Sequence, residues 1–219
     1  MLYKEWIKTR WYLLAAFAVL GGFAGYALVK LHRAAALMGA GHVWEVMVTR
    51  NAVFIDQMEY LPLLIGLLLA VAQFVPEMQR RCLKLTLHLP VPALATLTAM
   101  IGCGTAALLL LFGLGILLLA AGASPVLPHE LVWNILSTAL PWCLAGVAAY
   151  LFGAWTILEP TWKRRLVNIL MSVLLLRIYF LAPGPRAYGG FLPVLALLTL
   201  ASAALSWLSV VRFMAGRQD

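Results

Sequence analysis

The chain has 219 residues, of which 64% are hydrophobic and only 11% are charged. A soluble domain is closer to ~45–50% apolar and ~25% charged residues, and a water-soluble globule of this size could not bury so much apolar surface. The same composition excludes an intrinsically disordered chain. The sequence therefore predicts an integral membrane protein, with room for about six helical spans of roughly 20 residues each.

Apolar segments separated by short polar connections follow one another along the chain. The six segments cover residues 11–29, 60–75, 93–121, 131–158, 166–182 and 191–213. Each is too long and too continuously apolar for a strand, and none shows the alternation typical of a transmembrane β-barrel. The predicted fold is an all-α integral membrane protein, one domain (1–219) with six transmembrane helices.

The basic residues predict how these helices are oriented. If the N-terminus is cytoplasmic, eleven Lys and Arg residues fall on cytoplasmic segments and four on outer segments, with Arg177 inside the fifth span. Cytoplasmic segments of membrane proteins carry this excess of positive charge. Both termini are therefore expected in the cytoplasm. The net charge of +8 is attributed to topology, and no nucleic-acid partner is expected.

Residues 1–11 predict an interfacial helix that precedes the first span. Tyr3, Trp6 and Trp11 recur at helical spacing on one face, while Lys4 and Lys8 lie mostly on the other. A helix of this kind lies along the lipid headgroups, with its aromatic side chains as anchors. The alternative is a plain charged leader before a retained first span.

The segment after the second predicted span is the most informative one. Pro76 is expected to end that span and to start a short cytoplasmic helix at about residues 77–89, in which the first-turn Glu77 suits the helix dipole. Its apolar stripe consists of Met78, Cys82, Leu85 and Leu89. Its basic residues Arg80, Arg81 and Lys84 lie off this stripe. Two interpretations remain open: a solvated basic loop, or a helix that docks into a groove of a cytoplasmic partner.

A second cytoplasmic turn at residues 159–165 has a similar character. Glu159, Trp162 and Lys163 predict a smaller contact with the same partner. The alternative is a basic membrane anchor with Trp162 at the interface.

Small polar residues within the predicted spans are candidates for a substrate pathway. They are Thr96, Thr105, Asn134, Thr138 and Ser172, together with Arg177. Such a lining would suit a lipid, an amphipathic peptide or a hydrophobic small molecule. The same residues also serve ordinary helix packing, and Arg177 lies close enough to the end of its helix to reach the interface.

Several classes of chemistry find no support in the sequence. No Asp or Glu lies in the middle of a predicted span, where proton or cation coupling would need one. The chain has no GxSxG, HExxH or GxxxxGK[ST] motif and no two His at positions i and i+4. No enzyme activity, metal site or cofactor is therefore expected in this chain itself.

Six spans without a soluble domain, an N-terminal interfacial helix and an amphipathic helix between spans two and three resemble the permease subunits of type-2 ABC transporters. In that family the loop after the second span opens with an acidic residue and ends in a Leu-Pro-Val-like turn. Glu77 and the run Leu89-Pro90-Val91-Pro92 match this arrangement. The topology resembles the family over the whole chain, although the motif itself is short.

The resemblance implies a function and its partners. The helix at 77–89 would be the coupling helix that docks on a separate ATPase subunit. Two ATPase copies with bound ATP and Mg²⁺ would drive two identical or related permease subunits in the bacterial cytoplasmic (inner) membrane. The expected function is export of a hydrophobic or amphipathic substrate. The alternatives are a non-transporting assembly or scaffold protein and, from the compact length, a haem-handling permease of cytochrome c maturation.

Overall fold

The structure is a computed structural model that describes residues 2–49, 54–79, 92–182 and 184–214. The α-helices of these residues are α1 (Leu2–Met38), α2 (Ala40–Thr49), α3 (Leu61–Gln79), α4 (Ala93–Ala123), α5 (His129–Leu158), α6 (Trp162–Arg177) and α7 (Leu192–Met214). Short 3₁₀ turns at Asp56–Met58 and Ile178–Phe180 precede α3 and follow α6. The described residues contain no strand, so the all-α class is confirmed.

Five helices of the described part are long and apolar enough to cross a membrane: α1, α3 with its 3₁₀ turn, α4, α5 and α7. The prediction of a multi-pass helical membrane protein is confirmed at this level. The fifth predicted span, residues 166–182, coincides with α6 and the 3₁₀ turn after it. At 16 residues, α6 is shorter than the roughly 20 residues that a helical span usually has.

α1 runs without interruption from Leu2 to Met38, whereas the sequence predicts an interfacial helix that gives way to a span near residue 11. Its first turns are nevertheless amphipathic. Glu5 and Thr9 are buried in the protein, while Tyr3 and Trp6 are exposed. The chain turns after Met38 at Gly39, whose φ of +83° favours glycine, and α2 follows.

α3 continues through Pro76 to Gln79, although the sequence predicts a break at that proline. A proline in the last turn removes only one hydrogen bond, from its own position to the carbonyl of Ala72, and the helix has only three residues left to run. Glu77 and Met78, at the start of the predicted coupling helix, therefore belong to α3, and residues 80–89 of that predicted helix lie outside the described residues.

α5 is the central helix of the bundle, and α3 packs against it at very short range. A Cβ atom on Gly66 would lie 1.9 Å from the backbone oxygen of Gly146, and one on Gly153 would lie 2.8 Å from the Cβ of Ala70. Small residues permit this separation, as is usual where helices pack inside a membrane. Along this contact the residue numbers of both helices rise together, so α3 and α5 run in the same direction.

α7 also runs parallel to α5, because Ser209 and Arg212 of α7 contact Glu159 at the end of α5. α3, α5 and α7 therefore end together at one end of the bundle, where α1 begins. We name this the terminal end. The far end carries the starts of α3 and α7 and the end of α6, where Tyr60 stacks on Phe180 with ring centroids 5.1 Å apart.

Replacing Gly66 by Leu should destabilise the protein, because the side chain would meet the backbone of α5. Overpacking of this kind costs about 1–3 kcal/mol, and more where backbone blocks the new atoms. The matched control is Gly22→Leu, since nothing lies within 4 Å of a Cβ at Gly22. The measurement is the thermal unfolding midpoint of each variant in detergent. Equal midpoints for the two variants would contradict the close α3–α5 packing.

Candidate functional site: buried carboxylates at the terminal end

Glu77, near the end of α3, is the first charged group of the candidate site. Its side chain is only 3% exposed, and its Oε1 atom lies 2.6 Å from Lys8 Nζ and 2.9 Å from Lys4 Nζ. Both lysines belong to the first turns of α1. Glu77, which the sequence predicts to contact a cytoplasmic partner, thus forms ion pairs that join α1 to α3.

Glu5 extends this pairing into the bundle. Its Oε1 atom lies 3.0 Å from Lys8 Nζ, so that Lys8 bridges the carboxylates of Glu5 and Glu77. The other oxygen of Glu5 accepts a hydrogen bond of 2.9 Å from Nε2 of Gln73. The two carboxylates and the two lysines balance in charge, which is the usual condition for burying ionised groups.

Gln73 and Tyr150 carry the network to α4 and α5. Nε2 of Gln73 also donates to the backbone oxygen of Met100, at 2.9 Å. The hydroxyl of Tyr150 donates to Oε1 of Gln73, at 2.8 Å. Tyr150 is fully buried and Gln73 is 1% exposed. One continuous set of polar contacts, buried except at the partly exposed Lys4 and Lys8, therefore joins α1, α3, α4 and α5. We name this set, made of Lys4, Glu5, Lys8, Gln73, Glu77 and Tyr150, the terminal network.

Gly104 of α4 leaves the space that this network needs. A Cβ at this position would lie 2.1 Å from the hydroxyl oxygen of Tyr150 and 2.7 Å from Oε1 of Gln73. Any larger residue would therefore displace the hydrogen bond between Tyr150 and Gln73. The glycine is required by packing and not by an unusual backbone conformation.

Glu159 is a second buried carboxylate at the terminal end. It has no exposed surface, and its Oε2 atom accepts hydrogen bonds from Ser209 Oγ at 2.6 Å and from Arg212 at 3.2 Å. Its backbone oxygen accepts a further bond of 2.8 Å from Arg165. Glu159 therefore joins the end of α5 to the start of α6 and to the last turns of α7.

The predicted docking residues fall into three groups. Glu77 and Glu159 are buried and paired within the chain, and Met78 is half-buried. Trp162 and Lys163 are exposed, with the Trp162 ring 5.9 Å from the guanidinium of Arg165. Arg80, Arg81, Cys82, Lys84, Leu85 and Leu89 lie outside the described residues.

The predicted pathway residues do not lie together. Thr96 is buried near the start of α4, and Thr105, also on α4, lines an apolar groove. Thr138 donates to the backbone oxygen of Asn134 near the far end. Ser172 is buried where α6 packs on α5, and Arg177 is exposed at the end of α6.

The apolar groove is a cavity of about 720 Å³. It lies between α4, α5 and α7 and is lined mostly by aliphatic side chains, with one aromatic ring from Trp207. Thr98, Thr105 and Thr199 supply its few polar atoms. A groove of this size and lining accommodates a hydrophobic molecule or part of one.

Sequence reasoning missed Gln73 and Tyr150 and assigned Lys4 and Lys8 to the polar face of an interfacial helix. A signal for Gln73 was present, because an amide inside an apolar run of residues is costly in a membrane unless it has a partner. Its partners could not be found in the same way, since they lie 68 residues earlier and 77 residues later in the chain.

Comparison with known proteins adds no assignment: no family, no curated protein and no solved structure matches this chain.

Replacing Tyr150 by Phe should destabilise the bundle, because Oε1 of Gln73 would remain buried without its donor. An unsatisfied buried polar group costs about 1–3 kcal/mol. The control is Tyr26→Phe, since the Tyr26 side chain is 55% exposed on α1. Thermal unfolding in detergent measures both variants. If Tyr150→Phe unfolds at the wild-type temperature, the terminal network does not stabilise the fold.

Proposed function

We propose that this chain is the membrane-spanning subunit of an ATP-driven ABC transporter. It exports a hydrophobic or amphipathic substrate and is energised by a separate ATPase, two copies of which act on two permease subunits. In this proposal the ATPase binds at the terminal end, and the terminal end faces the cytoplasm. The proposal rests on the resemblance of the sequence to type-2 permeases and on the terminal network.

The terminal network is the observation that carries the proposal. Residues 80–89, the main part of the predicted coupling segment at 77–89, follow directly after α3. Glu77, the first residue of that predicted segment, is held by Lys4 and Lys8, while Gln73, one turn earlier, is bonded to α4 and α5. A force that a partner exerts on the segment would therefore reach four helices through these ion pairs and hydrogen bonds.

The apolar groove supports the substrate class. Its wall of leucine, alanine and valine side chains offers no ion pair or charged group to a polar solute. Among the predicted pathway residues, Thr105 lies in it. A hydrophobic or amphipathic molecule would enter such a groove with the most favourable free energy, because its apolar surface is buried, whereas a polar solute would lose hydrogen bonds to water and find few partners.

The direction of the helices supports six crossings. α5 and α7 run in parallel, so α6 must return the chain from the terminal end to the far end between them. By its 16 residues, α6 is about 24 Å long and the 3₁₀ turn after it adds about 6 Å. Together they match the ~30 Å thickness of the hydrocarbon core.

With six crossings, Lys163 and Ala187 lie on opposite sides of the membrane. Both residues are exposed, so a cysteine at either position can be labelled. Each position is changed separately to cysteine in a chain whose native Cys82, Cys103 and Cys143 are replaced by alanine. A membrane-impermeant maleimide should label Ala187→Cys in intact cells and Lys163→Cys only after the membrane is permeabilised. Labelling of both variants from the same side would show that α6 does not cross.

The proposed docking of an ATPase can be tested at Leu85. A photoreactive amino acid at this position should cross-link, in native membranes, to a protein with nucleotide-binding Walker motifs. The same amino acid at Leu118, on the exposed side of α4, should not. In the purified complex, Leu85→Glu should lower the co-purifying ATP hydrolysis about tenfold, since a charge is costly in an apolar docking groove.

Two outcomes would decide against the proposal. A cross-link from Leu85 to a protein that does not hydrolyse ATP would favour the scaffold alternative. Unchanged ATP hydrolysis with Leu85→Glu would remove the coupling role of this segment.

A further inference from the structure

A small polar pocket lies toward the far end of the bundle, where its lining residues on α5 end at Trp142, eight residues before Tyr150 of the terminal network. Its volume is about 130 Å³, well above the ~10–15 Å³ that a single water molecule needs. It lies between the 3₁₀ turn before α3, the middle of α5 and the connection from α6 to α7. We name it the far-end pocket.

Charges of both signs line this pocket. Asp56 and Glu59 contribute carboxylates, and Arg186 contributes a guanidinium. Within the part of the chain that the structure describes, no ion pair joins Arg186 to either acid. Trp142 and Phe180 add aromatic rings to the wall. Two acids near aromatic rings suit an ammonium group, and an arginine suits a phosphate.

The segment that carries Arg186 is held in a defined shape. The hydroxyl of Tyr188 donates to the backbone oxygen of Ile178 at 2.8 Å and accepts from the backbone N–H of Ala182 at 3.0 Å. The backbone N–H of Arg186 donates to Oγ1 of Thr138 on α5, at 3.1 Å. Arg186 also has a φ of +58°, which is unfavourable for a residue with a side chain. These bonds fix the position of Arg186 beside the pocket.

The level of the pocket matches that of lipid headgroups. α3 and α7 begin at this level and the 3₁₀ turn after α6 ends there, while α5 extends beyond it from Trp142 back to His129. With 19 and 23 residues, α3 and α7 are about 28 Å and 34 Å long, close to the ~30 Å hydrocarbon core. A bilayer that these helices cross therefore has its boundary at the pocket.

We propose that the far-end pocket binds a zwitterionic group that combines an ammonium with a phosphate, as in the phosphoethanolamine headgroup of a lipid. Asp56 and Glu59 accept hydrogen bonds from the ammonium, and Arg186 binds the phosphate. The site is independent of the transport function, because it requires only that the helices cross a bilayer.

The test is native mass spectrometry of the full chain in detergent with dioleoyl lipids that differ only in headgroup. Phosphatidylethanolamine should be retained about tenfold better than phosphatidylglycerol, whose negative headgroup lacks the ammonium, and better than phosphatidylcholine, whose ammonium has no N–H to donate. Equal retention of the three lipids would overturn the proposal.

Variants identify the residues. The double change Asp56→Asn, Glu59→Gln should remove most of the preference for phosphatidylethanolamine, and Arg186→Gly should do the same. Arg186→Gly also relieves the unfavourable φ, so a loss of binding cannot be ascribed to poor folding. The controls Glu130→Gln and Arg33→Gln change exposed charges outside the pocket. Loss of the preference in the controls, or its survival in the pocket variants, would overturn the assignment.

Competition with free phosphoethanolamine distinguishes the source of the group. If millimolar phosphoethanolamine displaces the lipid, the headgroup chemistry suffices and a soluble ligand of this class also fits. If it does not, while the variants still lose the lipid, the lipid is the ligand because its acyl chains contribute to binding.

Discussion

Glu77 and Glu5 lie inside the bundle because Lys4 and Lys8 reach them from the first turns of the same chain. A single buried carboxylate would be strongly unfavourable in a membrane protein, whereas two carboxylates with two ammonium groups balance in charge. This requirement draws the start of α1 against the end of α3. It also explains why α1 begins with buried polar residues and exposed aromatic ones.

The same polar contacts determine how the terminal end is organised. Gln73 satisfies Glu5, a carbonyl of α4 and the hydroxyl of Tyr150 at once, and Gly104 provides the space for it. Glu159 does the same for α5, α6 and α7 through Arg165, Ser209 and Arg212. α1 and the five helices α3 to α7 are thus connected at one end by ion pairs and hydrogen bonds, beside the two connections that the sequence predicts to contact a cytoplasmic partner.

The two ends of the molecule differ in character. The terminal end is closed by ion pairs and hydrogen bonds between side chains, whereas the far end contains a pocket whose charged groups are not paired with one another. The apolar groove between α4, α5 and α7 lies between these levels and opens toward the surroundings of the bundle. A transporter would need this division, with force applied at one end and a hydrophobic molecule accommodated along the helices.

The sequence by itself determined the helical membrane class and the approximate positions of the apolar helices, because those depend on local hydrophobicity. It did not determine that α1 is continuous, because the polar residues Glu5 and Thr9 of its first turns are buried in the bundle, or that α3 passes through Pro76, because a proline in the last turn removes only one hydrogen bond. Only the tertiary structure brought Glu5, Gln73 and Tyr150 together, and it moved Glu77 from an expected surface to the interior. The physical reason is that a buried charge must find its partner in space, and the partner's distance along the chain leaves no periodic pattern in the sequence.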